Sequence, residues 1–308
     1  METQLVVQKW PGAISTINIG AKKEDGGSRD RVIKIGGQNS LPLLSQEGNL
    51  PNRPKIAFEI WDIAPQDWGV ELEAIYKNSF KDPLAWAQFC INEFKAELLC
   101  VKMQGAHPDS GNKTPQEAAK FISELLKKIS VPLIIMGSGD IAKDNLVMPT
   151  VSEAAKGECC LIGAGVQENY KTLVASALAD GHNIIAESPI DINIAKQLNI
   201  LISDMGLNLN RIVIDPTIGA LGYGLEYAYS IMERARVAAL SGDKTLACPF
   251  ICFIGQETWR TKEAQVSIEQ GIMWETLTAT NLIQSGADLL VMRHPKAIEK
   301  VNNFIKSF

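Results

Sequence analysis

Eight short apolar runs recur from residue 56 onward, each separated from the next by a longer segment with helical periodicity. Strands buried on both faces of a parallel sheet read as continuous apolar runs, and eight strand–helix units over about 250 residues match a (β/α)8 barrel. The pattern predicts an α/β fold, a TIM barrel over residues 56–308. A doubly wound open sheet is the alternative, and it usually has fewer strands. The runs are IAFEI (56–60), LLCVKM (98–103), VPLIIM (131–136), CCLIG (159–163), NIIAE (183–187), IVID (212–215), PFICFI (249–254) and ADLLVM (287–292).

Several intervening segments begin with helix-start signals. Asp82 followed by Pro83 predicts an N-cap and a first helical residue. Thr114 and Glu117 have the spacing of a capping box. The stretch 188–191, Ser-Pro-Ile-Asp, predicts a further helix start of the same kind.

Residues 1–55 differ from the rest of the chain. LVVQKW (5–10) and AISTINI (13–19) flank Pro11-Gly12 and alternate apolar with polar residues, which predicts a β-hairpin. A charged loop follows, and VIKIGGQ (32–38) predicts a third short strand. We interpret residues 1–55 as a β-structured extension that closes the N-terminal end of the barrel or docks on a partner.

Charge and hydropathy exclude two kinds of partner and favour a cytoplasmic protein. The formal net charge is −5 and the basic residues are scattered, so a nucleic-acid partner is not expected. No apolar run approaches the roughly 20 residues that a bilayer requires, and the first residues do not resemble a secretory signal. Six cysteines lie mostly in or beside strand-like runs, as expected for reduced thiols. They are Cys90, Cys100, Cys159, Cys160, Cys248 and Cys252.

The carboxyl ends of the predicted strands, where barrels of this type carry their sites, are rich in small and apolar residues. This composition favours a wide, shallow floor without strong charge, suited to a planar or macromolecular surface more than to a small polar pocket. Four acids also follow strands and suit either acid–base chemistry or hydrogen bonds to a heterocycle. They are Asp62, Asp140, Glu187 and Asp215. For Asp215, bracing of its own turn and ligand contact are equally good interpretations.

Metal, redox and phosphate motifs are not recognisable. The three histidines fall in separate segments, Cys248 and Cys252 do not have C-x-x-C spacing, and no four cysteines are spaced for an iron–sulfur cluster. No Walker sequence occurs, and Gly137-x-Gly139 only approximates a dinucleotide fingerprint. We therefore predict neither a metal site nor catalytic residues in this chain.

Three segments match one known family in order. IGGQNSLPLLSQEGNLPNRPKIAFEIWD (35–62), IDPTIGALGYGLEYAYSIMERAR (214–236) and PFICFIGQETWRTKEA (249–264) resemble the small subunit of the corrinoid iron–sulfur protein of anaerobic acetyl-CoA synthesis. The resemblance implies a heterodimer with a large subunit that carries a [4Fe–4S] cluster and a cobalamin-binding domain. The corrinoid would lie between that domain and the top of this barrel.

The same resemblance implies further partners and a set of cofactor contacts. A methyltetrahydrofolate–corrinoid methyltransferase would load the methyl group, and acetyl-CoA synthase would receive it. Asp180-Gly181-His182 begins like the cobalamin motif D-x-H-x-x-G, but residue 185 is Ile, so this chain is not expected to hold cobalamin alone. Twelve residues are candidate corrinoid contacts: His107, Ser138, Asp140, Gly165, Asp215, Thr217, Ile218, Gly219, Ala220, Gly222, Tyr223 and Gln256.

Two other functions remain open at the level of sequence. The first is a pterin-binding methyltransferase that hands methyl groups to corrinoids, in which Asp62, Asp140 and Asp215 would bond the pterin. Gln256 stands where an asparagine contact is expected for that class, which counts against it. The second is a structural subunit that docks partners and never contacts the cofactor.

Overall fold

The computed structural model describes residues 7–76 and 79–307, and its central feature is a closed barrel of eight parallel strands. Strand β10 closes the barrel against β3, and β3 to β9 follow in chain order. The predicted TIM barrel is therefore confirmed. The strands are β1 (Thr16–Ile19), β2 (Ile33–Gly36), β3 (Lys55–Trp61), β4 (Leu99–Lys102), β5 (Leu133–Met136), β6 (Leu161–Gly165), β7 (Asn183–Glu187), β8 (Ile212–Asp215), β9 (Phe250–Cys252) and β10 (Ala287–Met292).

Helices on the outside of the barrel connect its strands, and two of the predicted starts are confirmed. The Asp82 carboxylate accepts a hydrogen bond from Leu84 N–H, and Thr114 forms the capping box with Glu117. The third start lies at the last residue of the stretch 188–191 and not at its first. The carboxylate of Asp191, three residues after Ser188, caps the helix that begins at Ile192. The helices are α1 (Val70–Tyr76), α2 (Pro83–Phe94), α3 (Pro115–Lys128), α4 (Ile141–Ala154), α5 (Tyr170–Asp180), α6 (Ile192–Asp204), α7 (Leu225–Leu240), α8 (Ile254–Thr258), α9 (Ile268–Ser285) and α10 (Pro295–Lys306).

The N-terminal sheet has a different pairing from the predicted one. Strand β1 pairs antiparallel with β2 across the charged loop, and residues 7–10 form no strand; residues 5–6 of the predicted first strand lie outside the described residues. Pro11-Gly12 does not make a hairpin turn, because Gly12 N–H donates to the carbonyl of Leu240 at 2.8 Å. A Cβ at residue 12 would lie 2.3 Å from the carbonyl oxygen of Ala239, so this close approach requires glycine.

This two-stranded sheet packs against the N-terminal end of the barrel. Ile17, Ile19, Ile33 and Ile35 are each at most 5% exposed and share one apolar cluster with side chains of the barrel strands. A polar network lies beside this cluster: Gln38 Nε2 donates to Asp288 Oδ1 at 2.6 Å. Arg236 Nη2 donates to Asp288 Oδ2 at 2.9 Å. Residues 16–38 therefore close the bottom of the barrel and leave the opposite end as the mouth.

No helix within residues 7–76 and 79–307 has both the length and the hydropathy that are needed to cross a membrane.

Candidate functional site

The carboxyl ends of the barrel strands surround a cavity of about 320 Å³ at the mouth. Apolar walls come from residues such as Met136, Ile218 and Phe253, and charged side chains line the remainder. The charged lining residues are Glu59, Lys102, Asp144, Glu187, Asp215 and Glu257. The expectation of a weakly charged floor is wrong, because these charged side chains line the cavity.

Four of the twelve candidate contacts line this cavity. They are Asp215, Thr217, Ile218 and Gln256. All four lie at or just after the ends of strands β8 and β9, so the sequence located one side of the mouth.

Four other candidates lie in different surroundings. The Ser138 hydroxyl donates to Asp144 Oδ1 at 2.7 Å. Asp140 caps α4 by accepting from Lys143 N–H at 2.7 Å. His107 accepts from Asp109 N–H within its own loop, and Gly165 packs beside Ile184, which is 3.2 Å from the position a Cβ would occupy. None of the four lines the cavity, although Asp144, the partner of Ser138, does.

The remaining candidates belong to the loop of residues 216–224. Tyr223 N–H donates to the carbonyl of Ala220, and this turn brings the carbonyl of Tyr223 within 2.2 Å of a Cβ position on Gly219. Ala220 is buried, whereas Tyr223 is 51% exposed. Gly222 has a φ of +80° and no neighbour within 4 Å of a Cβ position, so its surface is open. The loop thus offers an exposed edge outside the cavity.

Thr217 holds the start of this loop in an uncommon backbone conformation. Its φ is +55°, a value that is rare for a β-branched residue. The hydroxyl of Thr217 donates to the carbonyl of Ser188 at 2.6 Å, and its N–H donates to Asp215 Oδ1 at 2.9 Å. Asp215 therefore braces the turn, and its second oxygen makes no hydrogen bond within the described part of the chain.

Glu187 and Asp215 form a pair of carboxyl groups on neighbouring strands. They are register partners in the β7–β8 ladder, and Asp215 is only 5% exposed. Burial raises the pKa of Asp215 well above its ordinary value, and the nearby Glu187 charge raises it further. Burial also raises the pKa of Glu187, which has no hydrogen bond or ion pair among residues 7–76 and 79–307. Each of the two carboxyl groups therefore keeps its proton to a higher pH than an isolated carboxyl group does.

This pair predicts a pH-dependent stability difference for Asp215→Asn. Folding raises the pKa of this carboxyl group above its unfolded value of about 4. Its contribution to stability is fully present below the unfolded pKa and is lost as the pH rises through the folded pKa. The amide oxygen retains the bond from Thr217. We expect the variant to be more stable than the parent by at least about 1 kcal/mol at pH 8, with the gain absent near pH 4.

Urea unfolding at pH 4, 6 and 8 measures this difference. Asp204→Asn is the control, because Asp204 is exposed and makes no ion pair or hydrogen bond within the described part of the chain, and a smaller change in stability is expected for it. A gain for Asp215→Asn that stays constant from pH 4 to pH 8 would contradict the raised pKa of Asp215.

Lys102 is a cavity residue that the sequence analysis missed. Its ammonium group lies 3.3 Å from Gln256 Oε1 and 5.3 Å from the centre of the Trp61 ring. It makes no salt bridge with any residue that the structure describes. Burial lowers the pKa of Lys102, and the charge of Glu59 acts in the opposite direction. The available signal was a lysine inside the apolar run LLCVKM.

A buried ion pair lies beside Lys102. Arg293 Nε and Nη2 each donate to the Glu59 carboxylate at 2.8 Å, and both side chains are 3% exposed. The guanidinium also stacks over the Trp68 ring at 4.4 Å. Burial alone would raise the pKa of Glu59, but Arg293 brings it below its ordinary value. Glu59 therefore acts as a fixed negative charge next to Lys102.

None of the described residues that line the cavity is a histidine, and His294 is held away from it. Its Nδ1 accepts from Lys296 N–H at the start of α10, its ring stacks on Trp259, and burial lowers its pKa to about 4.

Cys100 lines the cavity as a free thiol, and burial raises its pKa. The described residues hold no group of three histidine, cysteine or acidic side chains arranged for a metal ion.

Known structures with this architecture include dihydropteroate synthases. The enzyme from Stenotrophomonas maltophilia with bound imidazole aligns with a TM-score of 0.60 and 14% identity, covering 87% of this chain and 98% of that one. The Xanthomonas albilineans enzyme with 4-aminobenzoic acid aligns with a TM-score of 0.59 and 15% identity, covering 87% of this chain and 97% of that one. At such identities the similarity shows the fold alone.

Sequence relatives are more informative. The acetyl-CoA decarbonylase/synthase complex subunit delta of Methanocaldococcus jannaschii is 34% identical over 308 residues, covering 98% of this chain and 75% of the relative. The subunit of the same name from Methanothermobacter thermautotrophicus is 32% identical, covering 98% of this chain and 77% of the relative. The CdhD family model, described as CO dehydrogenase/acetyl-CoA synthase delta subunit, matches residues 17–303. The resemblance seen in the sequence is confirmed: the chain belongs to the CdhD family of CO dehydrogenase/acetyl-CoA synthase delta subunits.

Proposed function

We propose that this chain is the small subunit of a heterodimeric corrinoid iron–sulfur methyl carrier, in which the barrel mouth forms one wall of the corrinoid site. The methyl group passes from methyltetrahydrofolate, through a methyltetrahydrofolate–corrinoid methyltransferase, to acetyl-CoA synthase. The large subunit supplies the [4Fe–4S] cluster and the cobalamin-binding domain. We further propose a cytoplasmic location and a division into an extension of residues 1–55 and a barrel of residues 56–308. Membership of the delta-subunit family supports this assignment.

The observation that carries the proposal is the form of the mouth. A cavity of about 320 Å³ lies at the low end of volumes that enclose drug-sized ligands, about 300–1,000 Å³. A corrin ring with its amide side chains is larger than such ligands and would lie across the rim. Ile141 and Tyr223 are 40% and 51% exposed there, and Gly222 leaves space for close approach. The residues present therefore fit a flat macrocycle on the rim.

The chain's own residues would shield and orient the cofactor. A bound corrinoid supplies a cobalt centre that accepts and releases the methyl group. The apolar side chains of Ile141 and Ile218 and the ring of Tyr223 would exclude water from the covered face. Because His294 is buried and bonded elsewhere, it offers no strong ligand to compete with the methyl group. Lys102 and the Glu187–Asp215 pair line the cavity, where they can bond polar groups that enter from the rim.

Gly222→Arg is expected to reduce corrinoid retention about fivefold in the purified heterodimer, because the arginine would project from the rim into the space of the macrocycle. A residue other than glycine at a φ of +80° also costs about 1 kcal/mol of backbone strain. Cobalt content per heterodimer, measured by mass spectrometry of the metal, and the visible corrinoid absorbance are the readouts.

Gly206→Arg is the matched control. Gly206 has a φ of +96° and equally open surroundings, but it follows α6 at the opposite end of the barrel. It therefore carries similar strain away from the mouth, and parental cobalt content is expected. Equal cobalt in the two variants would count against the rim as a corrinoid wall.

A pterin-binding methyltransferase is the second candidate, and the polar cavity favours it. Glu187, Asp215 and Lys102 present two hydrogen-bond acceptors and one donor in a space that a pterin can enter. Titration of the chain alone with methyltetrahydrofolate separates the candidates: the carrier subunit is expected to show no methyl transfer to added corrinoid, and transfer without the large subunit would establish the methyltransferase.

A further inference from the structure

A groove of basic side chains runs across the N-terminal end of the barrel, opposite the mouth. It consists of two adjoining cavities of about 410 and 380 Å³. They share Ile33, Arg53 and Lys55, so they form one continuous depression. One wall comes from β2 and the segment 50–55, and the other comes from the α2–β4 connection and the end of α10.

The groove has a strong excess of positive charge. Five basic residues line it, and none of the five forms an ion pair within the described part of the chain. Lys95 Nζ donates to the carbonyl of Asn92, which leaves its charge unneutralised. The acidic lining residue is Glu97, and it pairs with Arg31 at 3.3 Å. The five basic residues are Lys34, Arg53, Lys55, Lys95 and Lys306.

This cluster of positive charges contrasts with the formal net charge of the whole protein, which is −5. Like charges placed side by side repel one another, and an anionic partner relieves that repulsion. Ile33, Leu50, Pro51 and Phe94 also line the groove, so it offers apolar contact between the charges. Alternating cationic and apolar contacts suit an extended polypeptide that carries several carboxylates.

We infer that this groove binds an acidic segment of a partner polypeptide. The inference rests on the proposed function only in taking the chain to work as a subunit of a larger assembly. The overall negative charge disfavours nucleic acid, whose backbone the rest of the surface would repel. Because the groove and the mouth lie at opposite ends of the barrel, the groove anchors the subunit while the mouth stays free for the corrinoid.

The test uses the full chain and a fluorescein-labelled decamer of glutamate, with binding followed by fluorescence anisotropy at 50 and 300 mM salt. The groove variant carries Lys34→Glu, Arg53→Glu and Lys306→Glu. The control carries Lys120→Glu, Lys127→Glu and Lys128→Glu on the exposed face of α3, which gives the same net charge. A ten-nucleotide single-stranded DNA is titrated in parallel.

The expected result is peptide binding by the parent chain that weakens at least about tenfold in the groove variant and less than about twofold in the control, with strong salt dependence. Equal weakening in both variants, or no peptide binding by the parent, overturns the inference. If the parent binds the DNA more tightly than the peptide, and the groove variant loses that binding, the inference is also overturned in favour of nucleic acid. No corrinoid is present in the titration, so its outcome is independent of the mouth assignment.

Discussion

Replacing Arg293 with methionine is expected to lower the free energy of unfolding by about 3–5 kcal/mol. The substitution removes both hydrogen bonds that the guanidinium donates to Glu59 and leaves a buried carboxylate without its hydrogen-bonded counter-charge. The remaining donor is the indole N–H of Trp61, at 2.7 Å from Glu59 Oε1. A single neutral donor does not compensate a buried charge. Urea unfolding monitored by circular dichroism measures the loss.

Two further variants identify the cause of that loss. Arg260→Met removes an exposed pair with Glu257, and less than about 0.5 kcal/mol is expected. The double variant Glu59→Leu with Arg293→Met removes both charges, and it is expected to recover much of the stability that Arg293→Met loses. A single-variant loss no larger than that of Arg260→Met would show that Arg293 does not neutralise Glu59.

The barrel strands were predictable because their signal is local. A strand covered on both faces needs no polar residues, so its apolar run is visible without knowledge of its neighbours. The runs at 183–187, 212–215 and 287–292 match β7, β8 and β10 residue for residue. The run 249–254 extends too far, because β9 ends at Cys252 and Ile254 already begins α8. Apolar composition marks burial, and burial continues where the strand has ended.

The N-terminal pairing was not predictable from the chain near it. Pro11-Gly12 has the composition of a turn, and its actual role depends on carbonyls of Ala239 and Leu240, more than 200 residues away. The alternating isoleucines of β1 and β2 correctly indicated a half-buried sheet. They did not indicate which two strands pair with each other. Pairing was decided by contact with the barrel floor, which exists only after folding.

The candidate site was predictable on one side only. Asp215, Thr217, Ile218 and Gln256 lie at or just after strand ends and were found by that rule. Glu59 and Lys102 lie within strands, where a charged residue gives no sign that its side chain points into the barrel. The partner of Glu59 lies 234 residues away, so the sequence did not indicate that a buried charge there was compensated. The polar character of the mouth was missed for that reason.

Deletion of residues 1–54 is expected to leave the chain without a stable fold. Burying an isoleucine contributes about 1.5–3 kcal/mol, so the four isoleucines of the two-stranded sheet together contribute about 6–12 kcal/mol. That range is comparable with the whole stability of an ordinary protein, about 5–15 kcal/mol. The deletion also exposes the apolar side chains of the barrel floor and removes the bond from Gln38 to Asp288.

Size exclusion and thermal unfolding followed by circular dichroism test this expectation. A shorter deletion of residues 1–9 is the control, because residues 7–9 are exposed and the contacts of Gly12 and the two strands remain. The control is expected to stay monodisperse with parental unfolding. If the longer deletion also yields a folded barrel and only its association with the partner subunit is lost, residues 1–55 act as a separate docking segment. Aggregation or loss of the cooperative transition in the longer deletion alone would instead establish the sheet as the floor of the barrel core.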